Sequence, residues 1–168
     1  MGKLRIFISS LGLIVFGLVI ALVITEGVVR LFFPEPVLPR FVMDSGYGIR
    51  TNEPNVVTRH YVPGDYDITV TTNSAGMRGA GEYAVNKPDG VCRVAVIGDS
   101  FIFGFGVNDE EVISNILESK LNKSPDRKRC RYEVINSSVS GFGQAEQLVM
   151  YRNMIRKYDP GEVVLFYY

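Results

Sequence analysis

Hydrophobic and polar positions change their pattern along the chain, and the first pattern is an uninterrupted apolar run. Ile6 to Ile24 is almost entirely apolar and carries no charged residue. As a helix, this run of about 19 residues measures roughly 28 Å, which is enough to cross the hydrocarbon core of a membrane. Lys3 and Arg5 precede it, so the positive-inside rule predicts a cytoplasmic N-terminus and a periplasmic or otherwise extracytoplasmic remainder. Residues 1–30 are therefore predicted to form a single-pass anchor in the inner (plasma) membrane.

The flanks of the apolar run argue against its main alternative, a cleaved signal peptide. The run is long for a signal peptide, and no cleavage site of small residues follows Ile24. Residues 31–40 come next and contain Pro34, Pro36 and Pro39. Each proline fixes φ and disfavours helix in the residue before it. We interpret this stretch as a stiff, extended spacer.

Residues 41–90 are rich in Gly, Pro, Asn and Thr, and they show little periodicity. Tyr66 to Thr71 partly alternates and contains β-branched residues, which favours a short strand. Asn73 to Gly76 has the composition of a turn. This part is predicted to be an irregular segment with a small antiparallel ribbon.

From residue 91 onward, short apolar runs alternate with helical spacing. Arg93 to Ile97 is an apolar run that predicts a strand buried on both faces. Asn108 and Glu111 form a potential capping box before a helical pattern. The strands are predicted at 93–97, 132–136 and 163–168, and the helices at about 112–121 and 144–158. This order predicts an α/β domain over residues 91–168, with parallel strands joined by right-handed crossovers.

Composition and charge exclude several functional classes. Lys plus Arg equals Asp plus Glu, with 18 of each, so no nucleic-acid partner is expected. The basic run from Asp126 to Arg131 is interpreted as a solvated loop. Two cysteines and one histidine do not form a metal-ligand set, so we expect neither a metal nor a cofactor.

Two polar loops that contain glycine follow the first two predicted strands of this domain. One contains Gly98, Asp99 and Ser100, and the other runs from Asn136 to Gly143 with Gly141 near its end. Ligands bind beyond the carboxyl ends of strands in open parallel sheets, so both loops are candidates for a site. Ser100 is the candidate nucleophile, and nearby backbone N–H groups are candidates for an oxyanion hole.

The residues alone also allow a different kind of site, a phosphate-binding loop like those of flavodoxin-like cofactor domains. Such a loop would be dense in Ser, Thr and Gly. Here large apolar residues dominate after Ser100, namely Phe101, Ile102, Phe103 and Phe105. This composition makes a phosphate-binding loop the weaker interpretation, compared with a site in which Ser100 is a nucleophile.

The motifs resemble those of the SGNH/GDSL hydrolase family. Residues 94–101 read VAVIGDSF and residues 104–107 read GFGV, similar to the family's first block. Residues 136–143 read NSSVSGFG, similar to its second block. Residues 73–79 read NSAGMRG, which resembles the segment preceding the domain in membrane-anchored bacterial members. The Gly-x-Ser-x-Gly elbow of α/β-hydrolases is absent from the sequence.

The resemblance implies a three-layer, flavodoxin-like α/β fold and a serine esterase mechanism. Ser100 would attack an acyl ester, and the N–H groups of Ser100 and Gly141 would form part of the oxyanion hole. Asp99 and Asn136 are interpreted as structural residues near the site. The substrate would be an acyl ester of envelope lipid or glycan, cleaved by water or transferred to a polysaccharide hydroxyl. A non-catalytic module that binds envelope components is the alternative.

Two blocks of that family have no counterpart in the sequence. The family's third block supplies an oxyanion-hole Asn, and its fifth supplies an Asp and the His that acts as general base. The only histidine here is His60, which precedes Ser100 and is interpreted as a surface or packing residue. We therefore expect either a truncated gene product, with an incomplete SGNH domain, or half of a site that a second chain completes.

The two cysteines occupy equivalent places before two predicted strands. Cys92 and Cys130 each lie six residues before a strand-ending residue, Gly98 and Asn136 respectively. If these strands are parallel neighbours, the two thiols fall at matching levels, and export permits a disulfide. A bridge and two unpaired thiols both remain possible from the sequence.

Overall fold

A computed structural model of the protein describes residues 2–125 and 130–167 and divides the chain into two units, Met1–Pro36 and Val37–Tyr168. Helix α1 (Gly2–Phe32) makes up most of the first unit. Among the described residues, one helix is long and apolar enough to cross a membrane, over Ile6–Phe32. The helix continues past Ile24 because the chain has no proline before Pro34.

The second unit begins with two antiparallel ribbons. Strand β1 (Val42–Asp44) pairs with β2 (Arg50–Asn52), and β3 (Val57–Val62) pairs with β4 (Tyr66–Thr71). Strand β4 occupies the residues for which the sequence predicts a strand. The hydrophobic pattern does not predict its partner β3, because polar residues interrupt the apolar positions of that strand.

Three parallel strands form the central sheet of this unit. They are β5 (Val91–Ile97), β6 (Arg131–Asn136) and β7 (Glu162–Leu165), in the spatial order β6-β5-β7. The inner residues of β5 are buried, which agrees with a strand covered on both faces. The prediction of an α/β unit with parallel strands is therefore confirmed.

Helices pack on both faces of this sheet. The chain forms α2 (Ser100–Phe103), α3 (Ile113–Lys123) and α4 (Gln144–Met150). On one face, Val94 and Val96 of β5 belong to a cluster that includes Leu117 of α3. On the other face, Ala95 belongs to a cluster that includes Met150 of α4. Alternate residues of β5 thus contact different helices, as the two-residue period of a strand requires.

The capping box predicted at Asn108 and Glu111 begins a different element from the one expected. The Glu111 carboxylate accepts a hydrogen bond from the Asn108 N–H at 3.0 Å. A 3₁₀ turn, Asp109–Glu111, follows this cap, and α3 starts only at Ile113.

The second predicted helix contains a wide turn that changes which face is buried. After α4 the chain forms a π-helical turn, Tyr151–Ile155, and then a 3₁₀ turn, Arg156–Tyr158. Within the helix predicted at about 144–158, Leu148 is exposed, whereas Met150 and Ile155 are buried. A uniform α-helix would place Leu148 on the same face as Ile155, but a π turn brings residues five apart, here Met150 and Ile155, onto that face.

A disulfide joins Cys92 to Cys130, with their Cα atoms 5.6 Å apart. The register differs from the one assumed from the sequence, because Asn136 pairs with Val96 and not with Gly98. Cys92 therefore lies opposite Tyr132, and the bridge spans an offset of two residues. Residues 126–129 of the basic run lie outside the described residues.

A buried ion pair lies beside this disulfide. Arg93 and Glu133 are register partners on adjacent strands, and their side chains are 0% and 9% exposed. The Arg93 guanidinium contacts the Glu133 carboxylate at 2.6 Å. It also donates to the carbonyl oxygens of Tyr158 at 2.6 Å and Ala84 at 3.0 Å. These bonds connect strand β5 to the backbone at Ala84 and at Tyr158, the last residue of the 3₁₀ turn.

Candidate functional site

The connections that follow β5 and β6 leave on opposite faces of the sheet. The segment after β5 leads to α3, and the segment after β6 leads to α4. In open α/β sheets, ligands bind beyond the carboxyl ends of the parallel strands. Both glycine-containing loops start at this edge, so the structure brings them to one candidate site.

Ser100 is the first residue of α2, just beyond the carboxyl end of the central strand, and it is partly buried. The Asp99 carboxylate accepts a hydrogen bond from the Phe101 N–H at 3.0 Å, and the Asp99 carbonyl accepts one from the Phe103 N–H at 2.9 Å. Asp99 therefore caps the turn that carries Ser100. A Cβ at Gly98 would lie 2.5 Å from the Ile102 side chain, so the turn packs too closely for a larger residue.

The loop after β6, residues 137–143, is fixed against the turn of Ser100. The Val139 N–H donates to the Gly98 carbonyl at 3.3 Å. The Asn52 side chain donates to the Ser138 carbonyl at 3.0 Å, so the β1–β2 ribbon also holds this loop. The loop thus has a defined position beside Ser100.

Gly141 has a backbone conformation that few other residues adopt without strain. Its φ of 79° lies in the left-handed region. A Cβ at this position would also stand 3.2 Å from the Arg50 guanidinium. In residues 2–125 and 130–167, neither the Gly141 N–H nor the Ser100 N–H donates to a protein acceptor. Both groups are therefore available to an external oxygen atom.

The fully buried side chain of Asn136 connects the turn of Ser100 to the loop of Gly141. Its amide nitrogen donates to the Ile102 carbonyl at 2.8 Å, and its amide oxygen accepts the Ser138 N–H at 3.1 Å. One side chain therefore sets the spacing between the helix of Ser100 and the loop of Gly141.

Arg78 is a residue of the site region whose role no spacing pattern in the sequence indicates. Its guanidinium donates to the Phe103 carbonyl at 3.2 Å and to the Val107 carbonyl at 3.1 Å, and it forms an ion pair with Asp109. It also donates to the Thr71 carbonyl at 3.3 Å. Arg78 therefore connects residues 103–109, which follow Ser100, to Thr71 at the end of β4 by hydrogen bonds.

The electrostatics of this ion pair reflect its partial burial. Desolvation lowers the pKa of Arg78, and the charge of Asp109 opposes that effect. Desolvation likewise raises the pKa of Asp109, against the influence of Arg78. The sequence contains one indication of this ion pair. Arg78 is the only charged residue of the run NSAGMRG, so its charge has no partner within that run.

His60 packs inside the unit and contacts the segment of Ser100 through an aromatic ring. Its ring centroid lies 5.3 Å from that of Phe105 and 5.5 Å from that of Phe41. Its Nε2 lies 3.3 Å from the Pro39 carbonyl oxygen. Burial lowers the pKa of His60. These contacts assign the ring to packing, and none of them is to Ser100.

A cavity of about 360 Å³ adjoins the candidate site. Asp99, Phe142 and Gln147 contribute to its lining, together with Phe166 and Tyr167 after β7. The described residues contain no cluster of three or more His, Cys, Asp or Glu side chains that could hold a metal ion. What this edge of the sheet offers is therefore a hydroxyl group, backbone N–H donors and a partly apolar cavity.

Comparison with models of known protein families, and with curated proteins, finds no match to this chain.

Proposed function

We propose that this chain carries the nucleophile half of an SGNH-type ester hydrolase on a flavodoxin-like domain. The observation that supports this most strongly is the relation between two loops. Ser100 follows the central strand, and the loop of Gly141 is hydrogen-bonded against the residue that precedes this turn. A hydroxyl and two unengaged N–H donors at one end of the sheet are two of the parts that acyl transfer requires, and a general base is the third.

In the proposed reaction, the Ser100 Oγ attacks the carbonyl carbon of an ester. The carbonyl oxygen becomes an oxyanion, to which the N–H groups of Ser100 and Gly141 donate. The ester C–O bond then breaks, the alcohol leaves with a proton, and the acyl group remains on Ser100. Water then takes the acyl group in hydrolysis, or a sugar hydroxyl takes it in acyl transfer. Asp99 keeps its capping bonds throughout.

The general base of this reaction is assigned to a group outside the described residues. A serine hydroxyl is a weak nucleophile at neutral pH unless a base accepts its proton. His60 does not serve, because its ring is buried between two aromatic side chains. A second chain that contributes a histidine to this end of the sheet would complete the site.

The location proposed for this reaction is the outer face of the inner membrane. The apolar helix and the basic Lys3 and Arg5 before it favour a cytoplasmic N-terminus. The disulfide between Cys92 and Cys130 supports export, because disulfides persist in oxidising compartments. Acyl esters of envelope lipids and glycans are the substrates available there. Protease added to intact spheroplasts should digest the Val37–Tyr168 unit, whereas protection of the unit would reverse the orientation.

The decisive experiment uses the full chain in lipid nanodiscs and a fluorophosphonate probe, which labels activated serines. Labelling of Ser100 should be slow and should accelerate when imidazole is added, because imidazole is a diffusible general base. The Ser100→Ala variant should show neither the slow nor the accelerated labelling. The matched control is Ser140→Ala, which removes a partly buried hydroxyl from the neighbouring loop and should label like the unchanged chain.

Two outcomes would contradict the proposal. Equal labelling of the unchanged chain and Ser100→Ala would remove Ser100 from the mechanism. No labelling in either protein at any imidazole concentration would favour the non-catalytic envelope-binding module. That module should bind acylated glycan or lipid equally well with and without the Ser100 hydroxyl.

A further inference from the structure

Every methionine after Met1 lines the same cavity. The chain has five methionines, and four of them surround a cavity of about 270 Å³ in the Val37–Tyr168 unit. Met43 comes from β1, and Met77 follows the turn at Asn73. Met150 ends α4, and Met154 belongs to the π-helical turn. Four separate parts of the fold thus contribute the same type of side chain to one space.

Met77 and Met150 are buried in the core, whereas the other two methionines are accessible. Met43 is 44% exposed and Met154 is only partly buried, so the cavity is open to solvent. Ile155 and Tyr158 add further apolar surface to its wall. Flexible, polarisable thioethers on an accessible surface adapt to apolar ligands of varied shape. This apolar part of the lining matches an unbranched hydrocarbon chain, and polar residues such as Asp44 and Lys157 form the rest of the wall.

The cavity connects by shared lining residues to the region of Gly141. Met43 and Asp44 line both this cavity and a neighbouring one, whose wall also includes Arg50 and Gly141. Ser137, the first residue of the loop that contains Gly141, lines the methionine cavity directly. The cavity beside Gly141 and the methionine cavity are therefore adjacent.

We propose that the methionine cavity binds the hydrocarbon chain of a medium-length acyl group, with the carbonyl end of that group toward Gly141. The cavity volume of about 270 Å³ lies just below the range of small-molecule sites, roughly 300–1,000 Å³, so it takes one chain and not a whole lipid. The position of the carbonyl end rests on the proposed ester hydrolase function. Binding of the chain itself does not depend on that function.

The test uses decanoic acid that carries a terminal diazirine, applied to the full chain in nanodiscs and activated by light. Mass spectrometry of the products should locate adducts on Met43, Met77, Met150 or Met154 and their neighbours. Ala75→Phe places a large ring in the cavity wall and should reduce these adducts at least fivefold. Ala80→Phe is the matched control, because Ala80 is exposed in the same segment and does not line the cavity.

Adducts confined to α1 would overturn the proposal, since they would report the lipid bilayer alone. Equal labelling of the cavity in Ala75→Phe and the unchanged chain would also overturn it. Met154→Trp fills the same space from the opposite wall, so a folding defect in one variant does not decide the result. Thermal unfolding of each variant identifies such a defect.

The Ser100→Ala variant separates this inference from the ester hydrolase function. Adducts at the cavity in Ser100→Ala should equal those of the unchanged chain, because binding needs no nucleophile. Adducts at the cavity without fluorophosphonate labelling of Ser100 would retain the acyl site and reject the esterase. Labelling of Ser100 without adducts at the cavity would retain the esterase and reject the acyl site.

Discussion

The two ends of the parallel sheet are held together by different kinds of interaction. At the amino end, a disulfide joins Cys92 to Cys130, and the Arg93–Glu133 ion pair is buried between adjacent strands. At the carboxyl end, the side chains of Arg78 and Asn136 bond to the backbone of the loops. The amino end therefore connects strand to strand, and the carboxyl end connects loops to the sheet and to the ribbons before it.

This difference separates the stability of the unit from the geometry of its candidate site. Breaking an interaction between central strands should require most of the unit to unfold, because residues of β5 and β6 belong to the core clusters on both faces of the sheet. Releasing a loop at the carboxyl end requires only a local opening, which costs less free energy. Changes at the amino end should lower global stability, and changes at the carboxyl end should act locally.

The largest effect is expected from removal of the disulfide. The bridge closes a loop with a sequence separation of 38. Loop entropy then predicts a loss of about 4 kcal/mol in the free energy of unfolding for Cys92→Ser combined with Cys130→Ser. Urea unfolding in a mild detergent, followed by circular dichroism, measures this change. An unchanged unfolding midpoint would show that the bridge does not brace the amino end.

The buried ion pair should produce the next largest effect. Glu133→Gln keeps the shape of the side chain but leaves the buried Arg93 guanidinium without its countercharge. Breaking such a pair by changing one partner costs about 3 kcal/mol.

The control for Glu133→Gln is Asp67→Asn at the exposed Arg59–Asp67 pair on the β3–β4 ribbon. This variant should show no measurable change in stability, because water and salt screen exposed charges. Equal losses in the two variants would mean that burial of the pair does not determine its contribution.

At the carboxyl end, Arg78→Met should loosen one segment more than it destabilises the unit. The carbonyl groups of Phe103 and Val107 lose their donors, and Asp109 loses its countercharge. Lost bonds to a charged group of this kind weaken local structure by about 2 kcal/mol. Amide hydrogen exchange should therefore accelerate at least tenfold in residues 100–109 but remain nearly unchanged in β5.

Glu133→Gln should show the opposite distribution, with exchange accelerated across all three strands of the sheet. If Arg78→Met also accelerates exchange throughout β5, the proposed separation between the two ends is wrong. Arg78→Lys retains the charge but cannot reach all the acceptors, so an intermediate acceleration in residues 100–109 is expected.

The central sheet could be predicted from the sequence because its information is local. The apolar run before Gly98 and the helical spacing after Asn108 each indicate one element with a simple period. The register of β6 against β5 depends on packing between distant segments, and the sequence-based estimate is wrong by two residues. The π turn at Tyr151–Ile155 is too short to produce a repeating hydrophobic pattern in the sequence, so the exposure of Leu148 could not be predicted.

The candidate site shows the same division. Ser100 and Gly141 lie beside strand ends and glycines, so local patterns indicate them. Asn52 and Arg78 come from the segment with least periodicity, and their partners lie far along the chain. No spacing rule links a side chain to a carbonyl in a different loop, so these residues become visible only in the folded structure.

The smallest effect, and the most selective, is expected from His60 of β3, whose ring contacts Phe105 in the segment after Ser100. Its ring is 1% exposed, and burial lowers its pKa below the ordinary value of 6.5. Well above pH 6.5 the ring is neutral in both the folded and the unfolded chain. As the pH falls from 6.5 toward the lowered pKa, the unfolded chain binds a proton first, so the folded state loses stability.

The His60→Gln variant should lose this dependence on pH between pH 6.5 and the lowered pKa of the ring. Asp109 gives a slope of opposite sign at lower pH, because burial raises its pKa and the folded state binds a proton first. Asp109 is present in both proteins, so the difference between their urea midpoints at each pH isolates His60. The same pH dependence in both proteins would mean that the ring takes up its proton without unfolding, and that the ribbons do not shield it from water.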